Sequence, residues 1–210
     1  MTADATFWNN LADEYSRKPV QNPDAFERKI AITRDQMSAD SVVLDIGCGT
    51  GSLALRLASA GAHIHGLDLS PEMVAIANRK AAADGVSNVT FHTGPFDASF
   101  TAFEPESLDG VCAYSLLHLV EDRPGMLKQI YRLVKPGGFF ISSTVCLGDS
   151  WVPYGVVLRF MRWMGKAPMV AVIPGQAWVR EVEAAGFVDV TACEVGAKST
   201  TMFLVGRRPI

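Results

Sequence analysis

The chain has 210 residues, 49 % of them hydrophobic, with a net charge of −3. That length suits one domain, or one with a small appendage, and the apolar fraction can fill a complete core. A weakly acidic chain offers no general electrostatic footprint for the phosphate backbone, so no nucleic-acid partner is expected.

Taken in chain order, residues 1–6 show no charged stretch followed by an apolar run, so no signal peptide is expected. Residues 5–38 read as two helices. Trp8, Leu11 and Tyr15 recur at helical spacing, and Asn22-Pro23-Asp24 starts a second helix with Phe26, Ile30 and Met37 turned inward. The expected organisation is an N-terminal helical cap over 1–38 and a main domain over 39–210, folded as one unit with the cap. Strands then alternate with helices: strands near 42–46, 63–67, 88–92, 108–113 and 138–145, helices near 52–60, 71–84 and 123–134. This alternation implies βαβ units, a parallel sheet and helices on both faces.

The last third breaks the alternation. Helices are expected near 153–165, with Val156, Val157, Phe160 and Trp163 spaced for burial, and near 176–185, closed by Gly186. Phe187 to Cys193 and Thr200 to Gly206 read as strands. Their six-residue link, Glu194 to Ser199, permits a hairpin and is too short for a helical crossover. Pro153, Arg159, Arg162, Lys166 and Pro168 interrupt the apolar stretch Trp151 to Ile173, so no membrane span is expected there. The four cysteines, Cys48, Cys112, Cys146 and Cys193, form neither a CxxC pair nor a disulfide-like spacing. A cytoplasmic setting is the simplest.

One segment carries most of the functional information: Val43 to Gly51, VLDIGCGTG. An apolar strand ends in Asp45, glycines follow at 47, 49 and 51, and a strong helix former begins at Ser52. Such a strand, turn and helix present a small ligand to backbone N–H groups at the carboxyl end of a parallel strand. A dinucleotide site would carry Gly-x-Gly-x-x-Gly, and here the third glycine comes one residue early, with Ser52 in its place. The next strand ends in Asp68, placed to accept hydrogen bonds from ribose hydroxyls. Ser70 and Pro71 then read as N-cap and first helical residue.

This string resembles motif I of the class I S-adenosylmethionine-dependent methyltransferases, of the small-molecule type. The resemblance covers about Val42 to Arg207. It implies a Rossmann-like, doubly wound α/β fold of seven strands in the order 3-2-1-4-5-7-6, with the last strand antiparallel and capping helices at the N-terminus. It also implies S-adenosylmethionine as cofactor, held by Tyr15, Asp45, Gly47, Cys48, Gly49, Gly51, Asp68, Leu69, Met73, Phe96, Asp97 and Ser115. Tyr15 would lie over the sulfonium, since an aromatic face attracts a cation. The family's acid beside the adenine is replaced by Pro95, leaving either Asp97 on a shifted loop or the backbone and ring of Phe96. Asp97 as the cap of the following turn is the bland alternative.

The reaction implied is in-line methyl transfer to a small apolar or aromatic acceptor. His118 is the candidate base, against a packing role for the same residue. Trp151, Tyr154, Met161 and Met164 are expected in the acceptor wall, over the carboxyl ends of strands four and five. Arg28 and Arg34 could reach the methionine carboxylate. No His/Cys cluster suggests a metal. The oligomeric expectation is a monomer or homodimer. Two competing readings remain open at this point: a non-catalytic cofactor-binding sensor or partner subunit, and a nicotinamide-linked reductase.

Overall fold

β1 (Val42–Ile46) is a short, almost wholly buried apolar run, as an interior parallel strand must be when both faces are covered. A computed structural model places it at the centre of the protein and describes residues 3–152, 154–164 and 169–210. β1 pairs in parallel with β2 (His63–Asp68) on one side and β4 (Leu108–Tyr114) on the other. β3 (Val89–Thr93) extends the sheet beyond β2, and β5 (Val134–Val145) extends it beyond β4. β7 (Thr201–Arg207) runs antiparallel to both β5 and the edge strand β6 (Val188–Ala192), giving the order 3-2-1-4-5-7-6.

Side-chain alternation divides the core in two. Phe139 and Ile141 of β5 join a cluster with Ile30, Leu53, Leu57 and Val74. Phe140 joins the other, with Leu127, Ile130 and Trp178. Helices α2 (Pro23–Arg34), α3 (Ser52–Leu57) and α4 (Pro71–Ala83) supply the first cluster, while α5 (Arg123–Leu133) and α7 (Gly175–Ala184) supply the second. Helix starts follow their local signals. Asn22, Ser70 and Asp122 each accept the backbone N–H three residues on, and each precedes a proline in the first turn.

Local boundaries differ from expectation in three places. α3 stops at Leu57 and tightens into a 3₁₀ turn over Ala58–Ala60. β5 begins at Val134, ahead of the strand expected near 138–145, and takes in Lys135-Pro136-Gly137-Gly138, with an irregularity in its ladder with β4 between Leu108 and Gly110. On α1 (Ala3–Arg17) the buried positions are Ala5 and Ala12, while Leu11 is only half-buried; Ala12 and Trp8 pack on Met73 and Ile76 of α4. The Ser70 hydroxyl donates to Asn9 Oδ1 at 2.6 Å and fixes α1 over the start of α4.

α6 (Tyr154–Trp163) is the largest departure. Val157, expected to be buried, is 42 % exposed. The side chains of Val156, Phe160 and Trp163 lie outside the described residues. Among the described residues no helix is long and apolar enough to cross a membrane.

Candidate functional site

The site begins where β1 ends. Gly47, Gly49 and Gly51 all take positive φ, between 53° and 78°, a region that L side chains rarely enter. At Gly51 space also excludes a side chain, since a Cβ there would lie 2.7 Å from the Phe91 ring and 2.9 Å from Ala77. The loop is tied to β2. The N–H groups of Gly47 and Cys48 donate to Leu67 O, at 2.7 and 3.1 Å, and Gly49 N–H donates to Asp68 Oδ2 at 2.9 Å. Lys80 of α4 reaches in to donate to the buried Thr50 hydroxyl at 2.8 Å.

Two carboxylates sit under this loop. Asp68 Oδ1 accepts Ser70 N–H at 2.9 Å, so each of its oxygens already holds one backbone donor. Burial raises its pKa, and the two backbone donors partly offset that rise. Asp45 is fully buried. Burial, and then the Asp68 charge, push its carboxyl well above the usual range, and its Oδ2 has no hydrogen-bond partner. An orphaned buried carboxylate oxygen beside a second carboxylate suits a ligand that carries positive charge. That is the chemistry of an amino-acid tail bearing an ammonium and a sulfonium.

A cavity of about 410 Å³ opens from the loop across the carboxyl ends of β1, β2 and β4, a volume normal for a small-molecule site. Of the cofactor residues expected from sequence, it brings together Tyr15, Gly47, Gly49, Asp68, Leu69, Met73, Phe96 and Ser115 in its lining, with His118 from the β4 exit. Asp45, Cys48 and Gly51 stand behind the lining. Cys48 is a buried thiol, with its pKa raised by burial and the two aspartates, and its Sγ lies 3.7 Å from Gly49 O. Tyr15 Cε1 lies 3.8 Å from the place a Gly49 Cβ would occupy, which puts the ring over the loop. Burial and the charges of Asp68 and Asp45 raise its phenol pKa.

Ser115 has φ 55°, a strained value for a non-glycine residue, and is held there by its N–H bond to Ser143 O at 2.7 Å. His118 is buried in the cavity wall with its Nδ1 unpaired, and burial lowers its pKa to about 4. Its carbonyl accepts Ala171 N–H at 2.7 Å, which brings Met169 into the same wall.

Several expected positions fall elsewhere. Asp97 is exposed and caps its own turn, accepting Ser99 N–H at 2.8 Å and the Ser99 hydroxyl at 2.6 Å, so Phe96 rather than Asp97 enters the cavity. The Arg28 guanidinium donates to Val195 O at 2.8 Å, and Arg34 donates to Arg56 O and to Ser59, so both are held by backbone away from the cavity. Trp151 is 94 % exposed and borders a different depression, with Cys146, Asp149 and Glu194. Tyr154, Met161 and Met164 also lie outside the cavity lining. The wall is made instead by Leu116, Leu119, Val120, Met126 and Tyr114. α2 fixes Tyr114, whose hydroxyl donates to Lys29 O at 3.1 Å and lies 2.7 Å from the Thr33 hydroxyl. For Leu116, Leu119 and Val120 the signal that could have found them was their place just after β4, where an open α/β sheet binds its ligand.

Residues 43–138 match the family model described as a methyltransferase domain. A ubiquinone biosynthesis O-methyltransferase of Burkholderia vietnamiensis is 30 % identical over 166 residues, 79 % of this chain and 70 % of that protein. One of the same name from Serratia proteamaculans is 32 % identical over 141 residues, 67 % of this chain but only 57 % of that protein. The chain thus spans little more than half of some of the curated relatives it matches. Among solved structures, YcgJ of Bacillus subtilis superimposes with a TM-score of 0.68 at 16 % identity, covering 88 % of this chain and 99 % of that one. Phosphoethanolamine N-methyltransferase 2 of Haemonchus contortus, in complex with S-adenosyl-L-methionine, gives 0.71 at 19 % identity, covering 88 % and 53 %. Likeness at those identities is one of fold. With the glycine loop, the sheet order and the relatives in agreement, the chain belongs to the class I S-adenosylmethionine-dependent methyltransferases.

Proposed function

We propose that this chain methylates a hydroxyl oxygen on a small apolar or aromatic acceptor. The observation that carries the reading is His118, which lines the same cavity as the glycine loop and Asp68 and whose buried Nδ1 has no hydrogen-bond partner. The O-methyltransferase names of the relatives support an oxygen acceptor.

In this reading the Asp68 carboxylate takes the ribose hydroxyls, each oxygen using the lone pair left over from its backbone donor. Gly47, Cys48 and Gly49 present the backbone to the amino-acid tail, with Gly51 allowing the helix to start close by. Asp45 lies below them, and a cationic tail would favour the ionised form of its carboxyl, which burial and Asp68 otherwise disfavour. Leu69, Met73 and Phe96 would hold the adenine end, and Tyr15 and Ser115 the sulfonium end. The α1–α2 segment acts as the cap that keeps water out. Bound there, S-adenosylmethionine supplies a methyl group on a sulfonium leaving group.

Leu116, Leu119, Val120, Met126 and Met169 give the acceptor an apolar bed. Holding an oxygen in line, about 3–3.5 Å from the carbon it attacks, can supply about 7–11 kcal/mol of the barrier. His118 holds the hydroxyl proton. With S-adenosylmethionine bound, an acceptor oxygen would take its methyl group while the electrons of the S–C bond return to sulfur, and His118 would take the hydroxyl proton on its imidazole. A base held as low as about 4 suffices. The proton becomes strongly acidic only as the oxygen gains its methyl, so transfer runs downhill late in the step. The test is a mass-detected assay across phenols, amines and thiols. Methylated phenols would bear the reading out, and turnover restricted to amines would overturn it.

A further inference from the structure

Lys29 of α2 is a cation whose place in the fold no ion pair explains. It is half-buried, and among the described residues no carboxylate lies within ion-pair distance of its ammonium. Its partners are the Ser143 hydroxyl, to which Nζ donates at 2.8 Å, and the face of the Phe203 ring, with its centroid 5.9 Å away. Burial lowers its pKa, so the fold disfavours its charged form. α2 has other anchors. Asn22 Nδ2 donates to Gly196 O at 2.9 Å, Arg28 Nε donates to Val195 O at 2.8 Å, and Ala25, Ile30 and Thr33 are buried.

Lys29 instead ties two strand ends together beside the cavity. Its carbonyl accepts the Tyr114 hydroxyl of β4 at 3.1 Å and the Thr33 hydroxyl at 2.8 Å. Its ammonium holds the Ser143 hydroxyl of β5, and the carbonyl of that serine accepts Ser115 N–H at 2.7 Å. Tyr114 and Ser115 line the cavity, and Lys29 does not. Ser115, at φ 55°, holds a conformation that persists only where its surroundings over-determine it. A group that costs the fold stability while fixing the backbone of a site trades one for the other.

We propose that Lys29 is a positioning residue for methyl transfer. By clamping Tyr114 and Ser143 to α2, it holds Ser115 and the sulfonium end of the cavity in place. The proposal rests on the reading of Ser115 as a neighbour of the sulfonium and on no assumption about the acceptor atom.

The test compares full-length Lys29→Met, Ser143→Ala and the double variant, with catechol as the probe acceptor. Lys29→Met keeps the apolar stem. Its kcat is expected to fall about 10- to 100-fold, with S-adenosylhomocysteine affinity within about threefold, since a misplacement near 1 Å costs transfer more than binding. Its melting temperature at pH 7 should rise by about 2–4 °C, because a poorly paired buried cation is gone. Ser143→Ala keeps the carbonyl but strands the ammonium, so kcat falls similarly while the melting temperature drops. The double variant should lose no more kcat than Lys29→Met, since both groups act in one network. Hydrogen exchange at the Ser115 amide, which needs no acceptor, should quicken about tenfold in both single variants. Wild-type kcat in Lys29→Met, a kcat loss matched by a drop in melting temperature there, or additive losses in the double variant overturns the proposal. If the wild type leaves catechol unmethylated, that result counts against the oxygen-acceptor reading alone. Unchanged exchange at Ser115 in Lys29→Met then overturns this proposal, and quickened exchange with cofactor affinity kept bears it out.

Discussion

The Gly49 N–H donates to Asp68 Oδ2 at 2.9 Å, so the loop that turns after β1 and the acid that ends β2 are joined before any ligand arrives. The acid is therefore aimed by backbone, and the loop's left-handed geometry is aimed by the acid. A hydrogen bond to a charged partner contributes about 1.5–3 kcal/mol. Asp68→Ala is expected to weaken S-adenosylhomocysteine binding by about 10- to 150-fold in calorimetry. Asp68→Asn, which keeps one acceptor, should fall between that variant and the wild type.

Asp45 gives a prediction of opposite sign for stability and for binding. Its folded-state pKa is raised by burial and by Asp68, so the fold favours the protonated form. Stability from this group is present at low pH and is lost as pH rises above the ordinary carboxylate value toward the raised one. At neutral pH, Asp45→Asn should raise the melting temperature of the ligand-free protein, by about 2–4 °C for each kcal/mol of relieved strain. The gain should shrink as pH is lowered, and the same variant should bind cofactor more weakly.

These two acids also show what could be read from sequence and what could not. The glycine string, Asp68 and the Ser70 cap act through backbone conformation within a few residues, so spacing alone located them. Asp97 could not be placed that way, because its direction depends on whether a local hydroxyl, that of Ser99, captures it first. Val157 fails for a related reason. Periodicity shows that α6 has an apolar face but not that the face meets a core. Tyr114, Met126 and Met169 come to the cavity from three separate segments, and only the tertiary fold brings them together.

His118 carries a pH signature. Its pKa falls from 6.5 to about 4 through burial. As pH drops through that window the unfolded chain takes up the proton before the folded one does, and stability is lost. His118→Gln should remove this part of the acid destabilisation. In turnover it should lower kcat by about 10²–10⁴ while leaving cofactor affinity within a few-fold, if the proton passes to this ring.

Tyr15 separates stacking from hydrogen bonding. Tyr15→Phe keeps the ring over the Gly49 loop and should bind S-adenosylmethionine about as well as the wild type. Tyr15→Ala loses about 0.5–2 kcal/mol of cation–π attraction, a drop of about 2- to 30-fold. The loss should be smaller for S-adenosylhomocysteine, which has no sulfonium charge.

Trp178 tests the packing of the core cluster that also holds Phe96 and Met126 of the cavity lining. It is fully buried between α7 and the sheet, with its Nε1–H donating to the Ser142 hydroxyl at 3.3 Å. Trp178→Ala should cost about 3–5 kcal/mol in urea unfolding. Trp178→Phe should cost less, since it keeps most of the volume and leaves one hydroxyl short of a partner.

The most direct measurement is the structure of the protein with S-adenosylhomocysteine bound. The ribose hydroxyls are predicted to lie within hydrogen-bond distance of both Asp68 oxygens, with the amino-acid tail along Gly47 to Gly49 and the Tyr15 ring above it. A ligand seated away from this loop, or an Asp68 carboxylate turned from the sugar, would contradict the account.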